Sequence, residues 1–108
     1  LFPFQMETVD DELAIPETFA LHQNYPNPFN PTTTIKYDVP EAKNIQIIIY
    51  DIIGRKVCTL VNEFQDIGYK TIQWNAVDDY GRPVSAGMYI YTIQAGDFRQ
   101  INKMVLLK

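Results

Sequence analysis

The fold of this chain is decided by one proline-rich stretch, Asn24-Tyr25-Pro26-Asn27-Pro28-Phe29-Asn30-Pro31-Thr32-Thr33-Thr34-Ile35, which runs into β-branched residues. Each proline fixes φ and pushes the preceding residue towards extended geometry, so the stretch cannot be helical. The asparagines between the prolines can hydrogen-bond backbone groups that a proline-broken segment leaves unpaired. Disordered linkers rarely carry spaced aromatics, whereas this stretch has Tyr25 and Phe29. We therefore predict a rigid lead-in, anchored by these two aromatics, to a β-domain that ends at Lys108.

The composition is typical of a single packed β-domain. The 108 residues suffice for one modest core, and 46% of them are hydrophobic and 13% aromatic. Nine Lys and Arg against thirteen Asp and Glu give a net charge of -4, and no basic block is present. We therefore expect no nucleic-acid partner. No internal repeat is visible in the sequence.

The cysteine count and the hydropathy pattern limit the features that the protein can have. The single Cys58 cannot form an internal disulfide and leaves no zinc-ligand set, so we expect no cofactor and a fold held by packing alone. We read Cys58 as a small buried side chain rather than a reactive thiol. The sequence has no apolar run long enough to span a membrane and no signal-peptide pattern at its start. Because it also begins without Met, we expect a processed or excised piece of a longer protein.

The chain divides into a connector and a domain. Residues 1–18 are acidic and follow neither helical nor strand periodicity, which predicts a loosely ordered connector from an upstream cargo domain. A short ordered strand around residues 6–9 is the alternative. The structured domain is predicted to cover residues 19–108.

Alternation of apolar and polar residues predicts about seven short strands. Their spacing by turn signals favours an all-β, antiparallel two-sheet sandwich without helices. The third strand is apolar on both faces, which predicts a central strand covered above and below. The expected strands are Phe19–Gln23, Thr33–Val39, Ile45–Ile53, Val57–Val61, Gly68–Trp74, Gly87–Ala95 and Phe98–Lys108. The side chains predicted to be largely buried are Ile45, Ile47, Ile49, Ile72, Trp74, Tyr89 and Tyr91.

Catalytic chemistry is not expected. His22 is the only histidine and has no neighbouring nucleophile with an orienting acid, so a structural role is favoured. Asp78 and Asp79 could ligate calcium, but Asp is also favoured in turns, where it hydrogen-bonds the backbone. We favour the turn, in which Gly81 is free to take positive φ.

An aromatic set leaves a binding function open. Trp74, Tyr80, Tyr89 and Tyr91 could form a platform for a sugar ring. Alternate aromatics in antiparallel strands also pair across a sheet and fill a core, which needs no ligand. We favour the core.

Three spaced motifs resemble the type IX secretion C-terminal sorting domain, which is related to the Ig-like domain of the flagellar hook-capping protein. The resemblance covers residues 19–108, and the combination is specific although each motif alone is weak. The motifs are Asn24-Tyr25-Pro26-Asn27-Pro28-Phe29-Asn30-Pro31; Gly68, Trp74, Asp78, Gly81 and Val84-Ser85-Ala86-Gly87-Met88-Tyr89; and Gly96 with Lys103-Met104-Val105-Leu106-Leu107-Lys108.

The resemblance implies an Ig-like sandwich that is an export address rather than an enzyme. It implies a domain at the end of a larger secreted or cell-surface protein of a diderm bacterium, exported through periplasm and outer membrane. We also expect the domain to be monomeric. The implied partners are the type IX translocon, which recognises the domain, and a sortase-like cell-surface protease, which removes it. The residues expected to be recognised are Lys103, Met104, Val105, Leu106, Leu107 and Lys108. The structural motif residues are Asn24, Pro26, Asn27, Pro28, Phe29, Asn30, Pro31, Trp74, Gly81, Gly87 and Tyr89.

The sequence departs from the family pattern after the tryptophan. Family members often have Asp-Gly where this chain has Asn75-Ala76, and Asn where it has Tyr80. These changes weaken a metal-binding or tight-turn inference there. An Ig-like accessory module, binding carbohydrate or spacing domains, is the alternative function.

The last strand itself favours recognition. It begins with one polar face and becomes apolar on both faces after Lys103. A terminal strand of this kind at a sheet edge could be extended by a strand of a partner. Coverage of the second face by a loop or sheet is the alternative.

Overall fold

A computed structural model describes residues 15–107 of the chain, and these residues form an all-β domain. Seven strands are present in the described part, which confirms the predicted all-β sandwich of about seven strands. The strands are β1 (Ala20–Leu21), β2 (Thr33–Val39), β3 (Lys43–Asp51), β4 (Lys56–Gln65), β5 (Gly68–Trp74), β6 (Gly87–Ala95) and β7 (Phe98–Leu106).

The strands form two antiparallel sheets. One sheet has the order β1-β2-β5 and the other the order β4-β3-β6-β7. The inward side chains of the two sheets form one core, as the alternation predicted for β2, β3 and β6. Of the predicted core residues only Ile72 is half-buried, and the others are buried: Ile45, Ile47, Ile49, Trp74, Tyr89 and Tyr91.

The prediction for the third strand is wrong in two respects. Ile52 and Ile53 lie outside β3, in the turn to β4, and are 68% and 69% exposed. The second face of β3 is not covered, because Ile48 and Tyr50 are half-buried. A two-layer sandwich covers only the inner face of each sheet, so an apolar outer face does not indicate a third layer.

The lengths of β1 and β4 also differ from the prediction. β1 is reduced to Ala20–Leu21, whereas β4 continues to Gln65 through residues that were predicted to form a loop. Asn62, Glu63 and Phe64 pair with the beginning of β3 while their side chains remain exposed. The polar sequence of this segment therefore reflects solvent exposure, not the absence of a strand.

The two ends of the sandwich carry different parts of the chain. The chain enters at one end, where the ring of Phe19 stacks on Phe98 at the beginning of β7 with centroids 5.5 Å apart. We call this the entry end. The opposite end carries Leu107, the β3–β4 turn and the loop between β5 and β6, and we call it the exit end. No helix that could cross a membrane is formed within residues 15–107.

Candidate functional site: the C-terminal strand and its clamp

β7 is the edge strand of the four-stranded sheet, and its outer edge is occupied near the end of the chain. The Phe29 amide donates to the Val105 carbonyl at 3.0 Å, and the Leu107 amide donates to the Phe29 carbonyl at 2.8 Å. The Val105 amide donates to Oδ1 of Asn27 at 3.0 Å. We call residues 23–29 the clamp, because they hold the last residues of the chain in place.

A polar network fixes the first part of the clamp. The buried Asn24 donates through Nδ2 to Oγ1 of Thr33 at 3.0 Å, and its Oδ1 accepts from Nε2 of Gln23 at 2.6 Å. Nε2 of Gln23 also donates to the carbonyl of Lys103 at 2.8 Å. The Asn24 amide donates to the hydroxyl of Tyr91 at 2.8 Å. Within the described residues, every buried side-chain N or O atom has a hydrogen-bond partner.

Side-chain amides of β7 complete the junction between the two sheets. Gln100 accepts from the Leu21 amide at 3.1 Å and donates to the Leu21 carbonyl at 2.8 Å, and Asn102 donates to the same carbonyl at 3.2 Å. Burial raises the pKa of the Tyr91 phenol, whose oxygen accepts hydrogen bonds from Asn102 and Asn24. Sequence reasoning missed Gln23, Gln100 and Asn102, since single amides on strands give no signal of the backbone they will meet.

An aromatic cluster brings the predicted motifs together. Phe29 packs on Trp74 with centroids 5.9 Å apart, and Trp74 meets Tyr89 edge-on at 5.4 Å. All three are buried, and Nε1 of Trp74 donates to the Val77 carbonyl at 2.8 Å. The prediction that Tyr25 is an anchor is wrong, because its side chain is 80% exposed. Phe29 is buried, as predicted for the second anchor, and the buried Asn24 takes the place of Tyr25.

The residues that the sequence analysis proposed for recognition lie on two faces of the C-terminal strand. Met104 and Leu106 point into the core and are buried. Lys103 and Leu107 are exposed, and Val105 is half-buried. Of the six residues only Lys108 lies outside the described part of the chain. Four of the remaining motif residues lie in the clamp or directly after it, and all four are exposed: Pro26, Pro28, Asn30 and Pro31. Gly81 lies in the β5–β6 loop, and Gly87 begins β6, where it pairs with Leu106.

The Asp78-Asp79 pair forms a turn, as favoured from the sequence. Oδ1 of Asp78 accepts from the amides of Tyr80 and Arg82, both at 2.9 Å, and Oδ2 accepts from Nε of Arg82 at 3.0 Å. The amide of Arg82 is the largest influence that lowers the pKa of Asp78. Gly81 follows with a φ of 80°.

Asp79 caps the edge of β4. Its amide donates to the Val57 carbonyl at 3.1 Å, and its Oδ1 accepts from the Thr59 amide at 2.9 Å. Burial, and then the neighbouring Asp79 carboxylate, raise the pKa of the Cys58 thiol to about 11. This thiol is buried and protonated at neutral pH, as expected from the sequence.

A second loop has the same structure, which the sequence reasoning missed. Asp51 accepts through Oδ1 from the amides of Ile53 and Arg55 at 3.1 and 2.9 Å, and through Oδ2 from Nε of Arg55 at 2.8 Å. The Arg55 amide is the largest influence that lowers the pKa of Asp51, and Gly54 has a φ of 91°. The pattern Asp-x-x-Gly-Arg at 51–55 and 78–82 is thus a short repeat that the sequence contains. The spacing of Asp, Gly and Arg is the signal that could have found it.

The other candidates from the sequence do not form a site in the described residues. His22 contacts Oδ1 of Asp38 through Nε2 at 3.0 Å on the surface. The aromatic platform does not form, because Trp74, Tyr89 and Tyr91 are buried while Tyr80 is 82% exposed. Residues 15–107 contain no group of three or more His, Cys, Asp or Glu side chains that could hold a metal ion.

These features define a small β-sandwich domain whose C-terminal strand is bound by the clamp at the exit end. The chain belongs to the secretion system C-terminal sorting domain family, whose model matches residues 23–107. It is thus a C-terminal sorting domain of the type IX secretion system, as its motifs predicted. No curated protein matches the chain.

Two solved structures from Porphyromonas gingivalis have a similar fold. Dimeric latent PorU matches with a TM-score of 0.65 and 19% identity over 85% of this chain and 10% of that one. PorZ, described as an essential surface component of the type IX secretion system, matches with a TM-score of 0.58 and 18% identity over 85% of this chain and 12% of that one. At this identity the likeness shows the fold, and the chain spans about a tenth of either protein.

Proposed function

We propose that the domain is a non-catalytic export signal that directs a larger cargo protein through the outer-membrane translocon of the type IX secretion system. The observation that carries the proposal is the meeting of the three family motifs around the C-terminal strand at the exit end. The cargo precedes the domain and joins it at the entry end. The nine residues of β7 separate the two ends of the sandwich by about 26 Å at the usual rise of a strand. A folded cargo therefore leaves residues 103–108, which we call the tail, accessible.

The translocon reads the outward side chains of the tail, Lys103, Val105 and Leu107, together with Lys108. Met104 and Leu106 act indirectly, since they anchor the strand in the core. Extension of β7 by a partner strand is less favoured at this point, because the clamp already bonds the backbone of Val105 and Leu107. This arrangement supports recognition of side chains on a preformed strand.

A sortase-like cell-surface protease then removes the domain by cutting within the connector, residues 1–18. Residues 1–14 lie outside the described part of the chain, and the proposal draws on residues 15–18, where Pro16 is buried and Ile15, Glu17 and Thr18 are exposed. An exposed segment before the first strand can enter a protease active site without unfolding the sandwich. The domain acts as a monomer, and the cargo reaches the cell surface or the medium of a diderm bacterium.

A fusion experiment tests the export function. Residues 1–108 are placed behind a signal peptide and a reporter in a host that has the type IX machinery. Export should require the domain, and the exported reporter should end within residues 1–18 when its C-terminus is determined by mass spectrometry. Export that is unaffected by removal of the domain would contradict the proposal.

A charge reversal separates recognition from folding. Lys103→Glu with Lys108→Glu keeps the apolar side chains of the tail, and surface substitutions normally change stability by only about 0.5 kcal/mol. The double variant should melt like the unmodified domain but fail to be exported. Lys36→Glu with Lys70→Glu reverses the same number of charges on the other sheet and should be exported normally. Normal export of the tail variant would show that neither lysine carries the signal.

A further inference from the structure

The two Asp-x-x-Gly-Arg loops, residues 51–55 and 78–82, lie side by side at the exit end, and we call them the twin loops. They are not part of the clamp or of the tail. A groove of about 610 Å³ is lined by both loops and, between them, by Lys56 and Val57. Two copies of one loop therefore face a common space at the exit end.

The twin loops expose mainly positive charge although they contain three aspartates, Asp51, Asp78 and Asp79, and only two arginines. The side chains of Arg55 and Arg82 are 75% and 71% exposed, whereas those of Asp51 and Asp78 are each 20% exposed. Asp51 and Asp78 are directed inward, and each accepts two backbone amides and the Nε of its arginine. Asp79 is exposed, and its Oδ1 accepts from the Thr59 amide. The Nη groups of both arginines are left to face solvent. Together with Lys56, the exposed charged side chains of this face are three cations and one carboxylate, that of Asp79, on a chain whose net charge is -4.

The loop tips also present apolar side chains. Ile52 and Ile53 are 68% and 69% exposed, and Met88 beside them is 41% exposed. They line a second groove of about 420 Å³ together with Val57 and Val84, and this groove also reaches Arg55. Exposed aliphatic residues gathered in a groove and rimmed by charge are typical of protein–protein contact.

We propose that the twin loops form a docking surface for a segment of a partner protein that carries carboxylates next to apolar side chains. Guanidinium groups that keep their Nη donors free suit carboxylates, and the isoleucines and Met88 suit aliphatic or aromatic side chains. An anionic glycan would match the charge but would leave the aliphatic groove unfilled. The inference rests on the proposed function: the surface lies at the exit end, away from the cargo, and Met88 at its rim pairs with Val105 of β7, so the partner is a component of the export machinery.

Export of the reporter fusion provides the first test. Arg55→Gln with Arg82→Gln removes both charges but keeps a donor for each aspartate, and Ile52→Ser with Ile53→Ser removes the apolar tips. Each double variant should lower exported reporter about tenfold, because a few central arginine and apolar contacts dominate most interfaces. Thermal melting followed by circular dichroism should be unchanged, since all four side chains are exposed.

Matched controls lie elsewhere on the domain. Lys36→Gln with Arg99→Gln removes the same charge from exposed positions, and Ile67→Ser with Ile101→Ser removes two isoleucines that are 44% and 62% exposed. Both controls should be exported normally. If the unmodified fusion is exported and the twin-loop variants are exported equally well, this inference is overturned while the proposed function stands. If the unmodified fusion is not exported, the proposed function fails and this inference fails with it.

Cross-linking tests the chemistry of the partner. A photoreactive benzoylphenylalanine is placed at position 53, or at position 67 as the control, in the fusion inside exporting cells. The adduct at position 53 should map by mass spectrometry to a peptide that contains Asp or Glu beside apolar residues. An adduct that resists protease digestion, as a polysaccharide would, or an identical adduct at position 67, would overturn the proposal.

Discussion

Asn24→Ala tests whether the polar network of the clamp holds the C-terminal strand. The Asn24 side chain is buried and makes three contacts: Oδ1 accepts from Gln23, and Nδ2 donates to Oγ1 of Thr33 and to the carbonyl of Pro26 at 3.2 Å. Alanine removes all three. The backbone bond between Asn24 and Tyr91 survives, so the variant isolates the side chain.

The expected loss follows from these contacts. A net hydrogen bond is worth about 0.5–1.5 kcal/mol, and the longest of the three contributes least. Thr33 keeps its hydrogen bond to the Pro26 carbonyl at 2.8 Å, so neither its hydroxyl nor that carbonyl is left without a partner. We therefore expect a loss of about 2–3 kcal/mol, a sizeable share of the ~5–15 kcal/mol that stabilises a domain.

Urea denaturation measures the loss, with Asn30→Ala as the matched control. Asn30 belongs to the same proline-rich run but is exposed, and its side chain makes no hydrogen bond within residues 15–107. Its replacement should cost less than about 0.5 kcal/mol. Equal losses for the two variants, or a loss below ~1 kcal/mol for Asn24→Ala, would refute the argument that the network fixes the clamp.

Three further predictions concern the core and the loops. Trp74→Ala should lower the free energy of unfolding by about 3–5 kcal/mol because it leaves a cavity, whereas Tyr80→Ala at an exposed site should change it by less than about 0.5 kcal/mol; similar losses in urea would contradict this. The lowered pKa values of Asp51 and Asp78 mean that their carboxylates stabilise the fold above the ordinary pKa of 3.8, and that this stability is lost as the pH falls through the folded-state values. Thermal melts from pH 6 to pH 2 should show this loss, reduced in Asp51→Asn with Asp78→Asn; an identical acid dependence in that variant would count against it. Cys58, with a pKa raised to about 11, should react with a disulfide reagent at pH 8 only as fast as the domain unfolds, and fast labelling of the folded protein would show that the thiol is open.

The strand prediction succeeded where burial alternates and failed where it does not. β5 and β6 begin and end at the predicted residues, and in β2 the residues Ile35, Tyr37 and Val39 share the buried face. The second half of β4 was missed because its side chains face solvent on an edge strand, so its sequence resembles a loop. Ile52 and Ile53 were assigned to a strand because apolar character alone does not distinguish a buried strand from an exposed loop tip.

The candidate site was only partly predictable. The three motifs were found as separate stretches. The sequence left open whether the last strand has a free edge or is covered, and in the structure β7 is an edge strand whose outer edge is bonded by Asn27 and Phe29 near its end. The meeting of the three motifs could not be predicted, because Phe29 and Leu106 are far apart in the chain and become neighbours only when both sheets form. The anchoring role of Asn24 in place of Tyr25 had the same origin. An Asn or a Tyr side chain can face the core or the solvent at the start of a proline run. The contacts with Tyr91 and Thr33 decide that Asn24 faces the core.

The class of fold followed from the sequence, because period-2 alternation and proline-broken turns indicate short antiparallel strands with one buried face. The sequence also determined the family, through motifs that are local in the chain. That the edge of β7 is clamped near its end became clear only in the folded chain, since it depends on hydrogen bonds between residues about 80 positions apart. The same holds for the twin loops, where Asp51 and Asp78 turn inward while Arg55 and Arg82 remain exposed, so that an acidic chain exposes two arginines at its exit end.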